Sequence, residues 1–246
     1  MTGIRIDIRS KLFKAEGKAK KHLAIKDLQF SVQSGEFSCL VGPSGCGKTT
    51  LLNLIAGLDH DFDGRIAIDT PEQQALIGYV FQEPRLLPWR NVRQNVECAL
   101  QPGRPHEAID ELLAELGLEQ VQQVYPERLS LGMSRRVALA RAFAIRPNLL
   151  LMDEPFVSLD APTARKVRNL LAEVWNQRPH TVLFVTHDVR EAIMLADRLV
   201  FLSHAPARVV GEVPVRIPRC NRNREDVIEA FRQNLRTEHP EISKFL

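Results

Sequence analysis

The chain predicts an α/β fold, a largely parallel sheet with helices on its faces and a helical insertion. Three observations carry that prediction. Strand and helix patterns alternate over residues 149–202. An apolar run at residues 37–41 feeds directly into a glycine-rich segment, residues 42–50. Between these two stretches lies a proline-interrupted middle with helical periodicity. A length of 246 residues suits one large domain, or one domain with a subdomain, and is enough to bury a sizeable core.

Taken in order, Ile4-Arg5-Ile6-Asp7-Ile8 alternates as a half-buried strand does. Residues 11–26 carry Lys11, Lys14, Lys18, Lys20, Lys21 and Lys26 around Gly17, and read as a solvated loop between strands. Residues 28–32 alternate again, Ser34-Gly35 turns the chain, and residues 37–41 form a buried strand. Residues 49–58 are helical and stop at Gly57 or just beyond. Short strands follow near 65–68 and 77–81. Pro84, Pro88, Pro102 and Pro105 then break the chain. Ile109, Leu112, Leu113 and Leu116 recur at helix spacing until Gly117, and the helical insertion runs to about residue 146. A strand at 149–152 precedes a helix whose apolar face is Val167, Leu170, Leu171, Val174 and Trp175. Strand 182–185, helix 190–195 and strand 199–202 complete the alternation. From about Cys220 the chain is charged, and it is helical near 227–235. The sequence holds no internal repeat and no low-complexity linker.

Composition excludes several classes. The chain is 44% hydrophobic and 26% charged, as soluble globular proteins are. A net charge of +3 is too small to imply nucleic-acid binding by itself. Cys39, Cys46, Cys98 and Cys220 lie far apart without a CxxC pair, which fits a reducing cytosol better than a disulfide framework or a zinc site. Charges occupy the positions where a secretory apolar region would begin. No apolar run approaches the ~18–20 residues that span a bilayer. If the protein works at a membrane, a partner must supply the spanning part.

Two motifs carry the chemistry. Gly42-Pro43-Ser44-Gly45-Cys46-Gly47-Lys48-Thr49-Thr50 satisfies G-x-x-x-x-G-K-[ST] in full, with an apolar strand before it and a helix after it. The glycines let the backbone curl so that several N–H groups face one anion, and the helix start adds partial positive charge. Lys48 then reaches the β- and γ-phosphates, and the Thr49 hydroxyl is placed for Mg²⁺. The second motif is Asp153-Glu154 at the end of an apolar strand, where adjacent carboxylates suit Mg²⁺ binding and activation of water. A third feature lies close by. The turn Leu129-Ser130-Leu131-Gly132-Met133 has the Ser/Gly chemistry to hold phosphate oxygens at a helix start. The phosphate loop alone does not choose among kinases, GTPases and ATPases. The chain has no NKxD-type guanine reader, which argues against a GTPase.

With these motifs in order and at suitable spacing, residues 4–220 resemble the ATPase subunit of an ATP-binding-cassette (ABC) transporter. The resemblance implies a phosphate-loop NTPase fold with a RecA-like parallel-sheet core, an antiparallel β subdomain and an inserted helical subdomain. It implies a single domain over 1–246: a nucleotide-binding core at 1–83 and 147–220, a helical subdomain at 84–146, and a short tail at 221–246. Asp153 resembles the aspartate that holds Mg²⁺ through water. Glu154, pointing to the other side of an extended chain, resembles the general base. Gln82 resembles the glutamine that touches Mg²⁺ or the attacking water and leads into the insertion. His187, after strand 181–186, resembles the histidine that contacts the γ-phosphate. In Ser158-Leu159-Asp160, Asp160 would cross between subunits. Ser130 and Gly132 would hold the partner's γ-phosphate, although Leu131 and Met133 depart from the usual LSGGQ. Phe13 is the candidate adenine platform; the alternative is a place in the core.

The same resemblance implies ATP and Mg²⁺ as cofactors and a head-to-tail homodimer. It further implies integral-membrane permease partners and, indirectly, a solute-binding protein, with no nucleic acid. The location would be the cytoplasmic face of the inner membrane, held by the permease. Residues 78–92, with Arg85-Leu86-Leu87-Pro88-Trp89 after Gln82, are similar to importers of the nitrate, sulfonate and taurine type. Leu86, Leu87 and Trp89 either dock a permease helix or belong to the subdomain core. A non-transport ATPase of the superfamily would carry a long coiled coil or two tandem cassettes. A phosphate-loop kinase would lack the combined Ser/Gly turn, Asp160 and His187.

Overall fold

The structure is a computed structural model that describes residues 2–14, 21–70, 75–100, 107–157, 159–177 and 179–245. It divides into two compact units, Met1–Gln73 with Thr181–Leu246, and Gln74–His180. In chain order the first unit opens with β1 (Gly3–Phe13), β2 (His22–Val32), β3 (Phe37–Val41), α1 (Lys48–Ile55) and β4 (Asp63–Asp69). The second unit holds β5 (Ile77–Val80), α2 (Val92–Glu97), α3 (Glu107–Glu115), α4 (Leu131–Ala144), β6 (Leu149–Asp153) and α5 (Ala161–Gln177). The first unit resumes with β7 (Thr181–Thr186), α6 (Val189–Leu195), β8 (Arg198–Leu202), β9 (Val209–Pro214) and α7 (Glu225–Glu238).

In the first unit, β1 is the middle of an antiparallel sheet with β2 and β4 on either side. Its alternation works as expected at the start: Ile4, Ile6 and Ile8 are buried, while Arg5, Asp7 and Arg9 face solvent. The second sheet of this unit is parallel at its centre. β3 lies between β7 and β8, with Phe37 opposite Val182, Val41 opposite Thr186, and Ser38 opposite Arg198. Every residue of β3 and β7 is buried, and for that reason both read as largely apolar runs, broken only by Ser38, Thr181 and Thr186, rather than alternating ones. β9 adds an antiparallel edge to β8.

In the second unit, β5 and β6 pair in parallel, with Ile77 opposite Leu149 and Val80 opposite Met152. The helix α4 packs against α2, α3, α5 and β5. It buries Val137, Ala138, Leu139, Ala140, Ala142 and Phe143, so apolar residues surround it on most sides. No helix among the described residues is long and apolar enough to cross a membrane.

Three details differ from the sequence reading. The lysine-rich stretch is not all loop: β1 continues through Lys11 to Phe13, and β2 begins at His22. Lys18 and Lys20 lie outside the described residues, but Lys11 is only 2% exposed. The cause is a change of phase. The β1–β4 register shifts between Ile8 and Ser10, so Lys11 turns inward where simple alternation would expose it. The strand β9 was not anticipated, because Gly211 and Pro214 give it a weak strand pattern. The short helix α2 was hidden among prolines.

Candidate nucleotide-binding site

Three groups of the expected residues come together, two in the second unit and one in the first. The first-unit group is built on the carboxyl ends of β3 and β7. Val41 and Thr186 are paired, so the strands that deliver Gly42 and His187 end side by side. This is where open parallel sheets bind ligands. Gly45 and Gly47 have φ of 75° and 107°, a left-handed backbone that favours glycine. A Cβ on Gly47 would also lie 3.2 Å from the Ala24 carbonyl oxygen. Lys48 is 5% exposed, and its ammonium donates to the carbonyls of Gly42 at 2.8 Å and Pro43 at 3.0 Å. The Cys46 N–H donates to the same Pro43 carbonyl at 3.3 Å, which tightens the loop, and its side chain is buried. Ser44, Gly45 and Thr49 are exposed, and Thr50 is half-buried. Helix α1 starts at Gly47 without a side-chain cap and without an acidic residue in its first turn. A positive helix end of this kind suits an external anion.

His187 is exposed. The Thr186 hydroxyl accepts the Asp188 N–H at 3.0 Å and donates to the Glu191 carboxylate at 3.0 Å. Asp188 in turn caps α6, accepting from Arg190 N–H at 2.8 Å. The turn carrying His187 is therefore fixed on both sides. A shallow depression there is lined by His187, Asp188, Val189, Arg190, Arg232 and Phe245. The tail reaches it because Arg190 pairs with Glu225 of α7.

A second-unit group lies at the carboxyl ends of β5 and β6. Asp153 ends β6 and is 2% exposed. Glu154 follows with φ of 44°, so the backbone leaves the extended conformation here, contrary to the straight strand expected from sequence. A left-handed residue other than glycine costs about 1–2 kcal/mol. What supports it is Arg135, which is 5% exposed and donates to the Pro155 carbonyl at 3.1 Å, with the Glu154 carbonyl 3.5 Å away. Gln82 is exposed two residues beyond β5. Below it, Tyr79 and Phe81 stack at 4.1 Å, and the Arg85 guanidinium lies 4.1 Å from the Phe81 centroid. Burial, reinforced by the charge of Asp153, pushes the Tyr79 phenol upward and keeps it protonated.

The loop after Gln82 is held by two residues the sequence reading did not single out. Arg141 donates to the carbonyls of Pro84 at 2.8 Å and Arg85 at 2.9 Å. Asn95, fully buried, accepts the Leu87 N–H at 2.8 Å and donates to the carbonyls of Leu87, Arg90 and Asn91. On this frame Trp89 is 69% exposed, while Leu86 and Leu87 are half-buried. Trp89 is therefore not a core residue. No local pattern announces these residues: Arg135 and Arg141 bind main-chain oxygens distant in sequence, and Asn95 binds the main chain of a loop without regular structure.

The other second-unit group joins α4 to α5. Ser130 caps α4, its hydroxyl accepting the Met133 N–H at 3.2 Å. Gly132 is buried against Thr163, and a Cβ there would come within 2.6 Å of the Thr163 methyl. Hydrogen bonds from the Thr163 side chain and, at 3.1 Å, from its N–H hold the Asp160 carboxyl below its ordinary range. Leu131 is 44% exposed. Ser158 lies outside the described residues. Phe13, 42% exposed at the end of β1, is not a core residue either.

A parallel strand that turns through a glycine loop around a buried lysine into an uncapped helix defines a phosphate-loop nucleotide-binding protein. Residues 25–157 match the ABC transporter family. The chain belongs to that family and is an ATP hydrolase. Among curated relatives it is 39% identical to the aliphatic sulfonates import ATP-binding protein of Bacillus licheniformis, over 94% of this chain and 93% of that one. It is 42% identical to the nitrate import ATP-binding protein of Synechococcus elongatus, over 88% of this chain and 83% of that one. Among solved structures it is similar to a dimeric ATP-binding cassette in a post-hydrolysis state with ADP and phosphate. That match has a TM-score of 0.75 at 30% identity and covers 87% of this chain and all of that one.

Proposed function

We propose that this chain is the ATP-hydrolysing subunit of an importer for a small solute of the sulfonate, taurine or nitrate kind. The observation that carries the reading is near full-length similarity to sulfonate and nitrate import ATP-binding proteins, in a chain that keeps a complete phosphate loop and Glu154. The working form is a homodimer. In each half, residues 42–50 hold the triphosphate of one ATP, while Ser130, Gly132 and Asp160 of the other chain close on it. Glu154 accepts a proton from the attacking water, and His187 and Gln82 orient that water and the γ-phosphate. The chemistry is positioning and electrostatic stabilisation of a phosphoryl group in transfer. Phe13 carries the adenine.

Mg²⁺ fits the groups this chain offers. Thr49, Gln82 and Asp153 are hard oxygen donors, and no cluster of three or more His, Cys, Asp or Glu among the described residues would enclose a metal by itself. An ion that keeps several waters and binds substrate phosphates suits such a sparse set. When bound, Mg²⁺ neutralises charge on the β- and γ-oxygens.

The partners are integral-membrane permease subunits, with a solute-binding protein acting through them. The exposed Trp89, on a loop fixed by Arg141 and Asn95, supports a docking surface beside Gln82. The chain then works at the cytoplasmic face of the inner membrane. The core at 1–83 and 147–220 binds nucleotide, the subdomain at 84–146 relays closure, and the tail at 221–246 covers the core.

The test is phosphate release in proteoliposomes with the cognate permease. Hydrolysis should rise when solute and its binding protein are supplied, with no phosphoryl acceptor present. Release that ignores permease and solute, or that requires an acceptor, would contradict the reading.

A further inference from the structure

Among the described residues, the most heavily engaged lysine outside the phosphate loop is Lys11. It is 2% exposed, and its ammonium donates to Asp59 Oδ1 at 3.0 Å and to the Asp61 carbonyl at 2.7 Å. Asp59 Oδ2 is 2.8 Å away, and Asp59 also accepts the Asp61 N–H at 2.9 Å. The same ammonium stands 4.8 Å from the centroid of Phe13, whose side chain is 42% exposed. A buried lysine needs such partners, because an unpaired buried ammonium is costly. What needs explaining is why a lysine is turned inward here at all, two residues before an outward phenyl ring.

The β1–β4 register shift turns Lys11 inward, and the hairpin shows what it is joined to. Lys11 pairs with Ile25, but Leu12 pairs with Leu23, so the register slips by one residue and Ala24 is left without a partner in β1. The Ala24 carbonyl is the atom a Cβ on Gly47 would meet. Ile25, the cross-strand neighbour of Lys11, lies at the same spot, its side chain 3.8 Å from that Cβ position. Phe13 pairs with His22 at the open end of the same ladder. The strand that carries Phe13 therefore runs past the segment that backs the phosphate loop, and Lys11 ties it to the loop leaving α1.

We propose that Lys11, anchored by Asp59, is a positioning residue that fixes the Phe13 ring for the adenine of bound nucleotide. The proposal rests on the reading of Phe13 as base platform. Two effects act together. The ion pair fixes the strand end, so less ring freedom is lost on binding. The ammonium over the ring adds a cation–π contact. Asp59 stays charged in this arrangement, since the hydrogen bond from Lys11 draws its carboxyl below the ordinary range.

The test compares a ligand with a base to one without, using ADP and pyrophosphate in calorimetric titrations of the full chain. Lys11→Met should weaken ADP about fivefold and pyrophosphate by less than about twofold. Lys11→Arg should restore ADP affinity, and Asp59→Asn should repeat the selective loss in a milder form. Phe13→Ala should show the largest selective loss, and adding Lys11→Met to it should cost nothing further. The ratio of the two affinities is read within one protein sample, so partial unfolding does not imitate the effect. Equal weakening of both ligands by Lys11→Met would overturn the proposal in favour of a purely structural lysine. If Phe13→Ala is selective and Lys11→Met leaves the ratio unchanged, the Lys11 role alone is overturned. An unchanged ratio in Phe13→Ala would overturn the base platform and the Lys11 role with it.

Discussion

Helix α1 starts at Gly47, which has no side chain to offer its first turn, whereas α4 starts at Ser130, whose hydroxyl accepts the Met133 N–H. Both starts lack an acidic residue in the first turn, so both keep a positive end. They differ in what satisfies it. The loop before α1 is stabilised by Lys48 and leaves its helix end for a phosphate. At the start of α4 one first-turn N–H is taken up by the helix's own serine, whose O–H still has its proton to donate to an oxyanion. On the proposed reading, the first is a permanent anion site, and the second becomes one only when a partner's nucleotide reaches it. A transporter ATPase that must bind ATP firmly and close only transiently needs both kinds.

Substitutions in the two helix starts separate these roles. The largest effect is expected from Lys48→Ala, which removes the cation that organises the loop and, on the proposed reading, reaches the phosphates. Hydrolysis should fall by ~10²-fold or more, measured as phosphate release at saturating ATP. Gly47→Ala comes next. It places a Cβ against the Ala24 carbonyl at φ of 107°, at a cost of ~1–3 kcal/mol. The loss should appear in both thermal stability and ATP affinity. Ser130→Ala should be the mildest. Losing the cap costs ~1 kcal/mol of stability. Binding of ATP to the isolated subunit should stay unchanged while turnover drops. If Ser130→Ala weakens binding as much as Gly47→Ala, the two helix starts are not distinct.

Much of the fold was legible because its signals are local. Residues 37–41 are apolar except for Ser38 since β3 is buried on both faces, and the glycine loop follows without a gap. Gly117 marks the end of α3 by adopting φ of 60°. The less legible parts depend on distant partners. Lys11 reads as one more solvated lysine until the β1–β4 register shifts and Asp59 comes within reach. Arg135 reads as part of a basic helix, yet it is buried under the Glu154–Pro155 turn. The left-handed Glu154 could not be seen in a sequence that continues an apolar strand. Trp89 and Phe13 were ambiguous for a related reason, since an aromatic residue in a loop fits a core or a surface equally well until exposure is known.

The central claim is that one chain supplies a permanent phosphate site and a conditional one, completed by a second copy. Glu154→Gln isolates it, since that change keeps both helix starts and removes the proposed base. With MgATP the variant should hydrolyse little and sediment as a dimer. Without nucleotide, or with Ser130→Ala added, the population should shift back to monomer. A Glu154→Gln variant that stays monomeric at saturating ATP, or hydrolyses at the parent rate, would contradict the account.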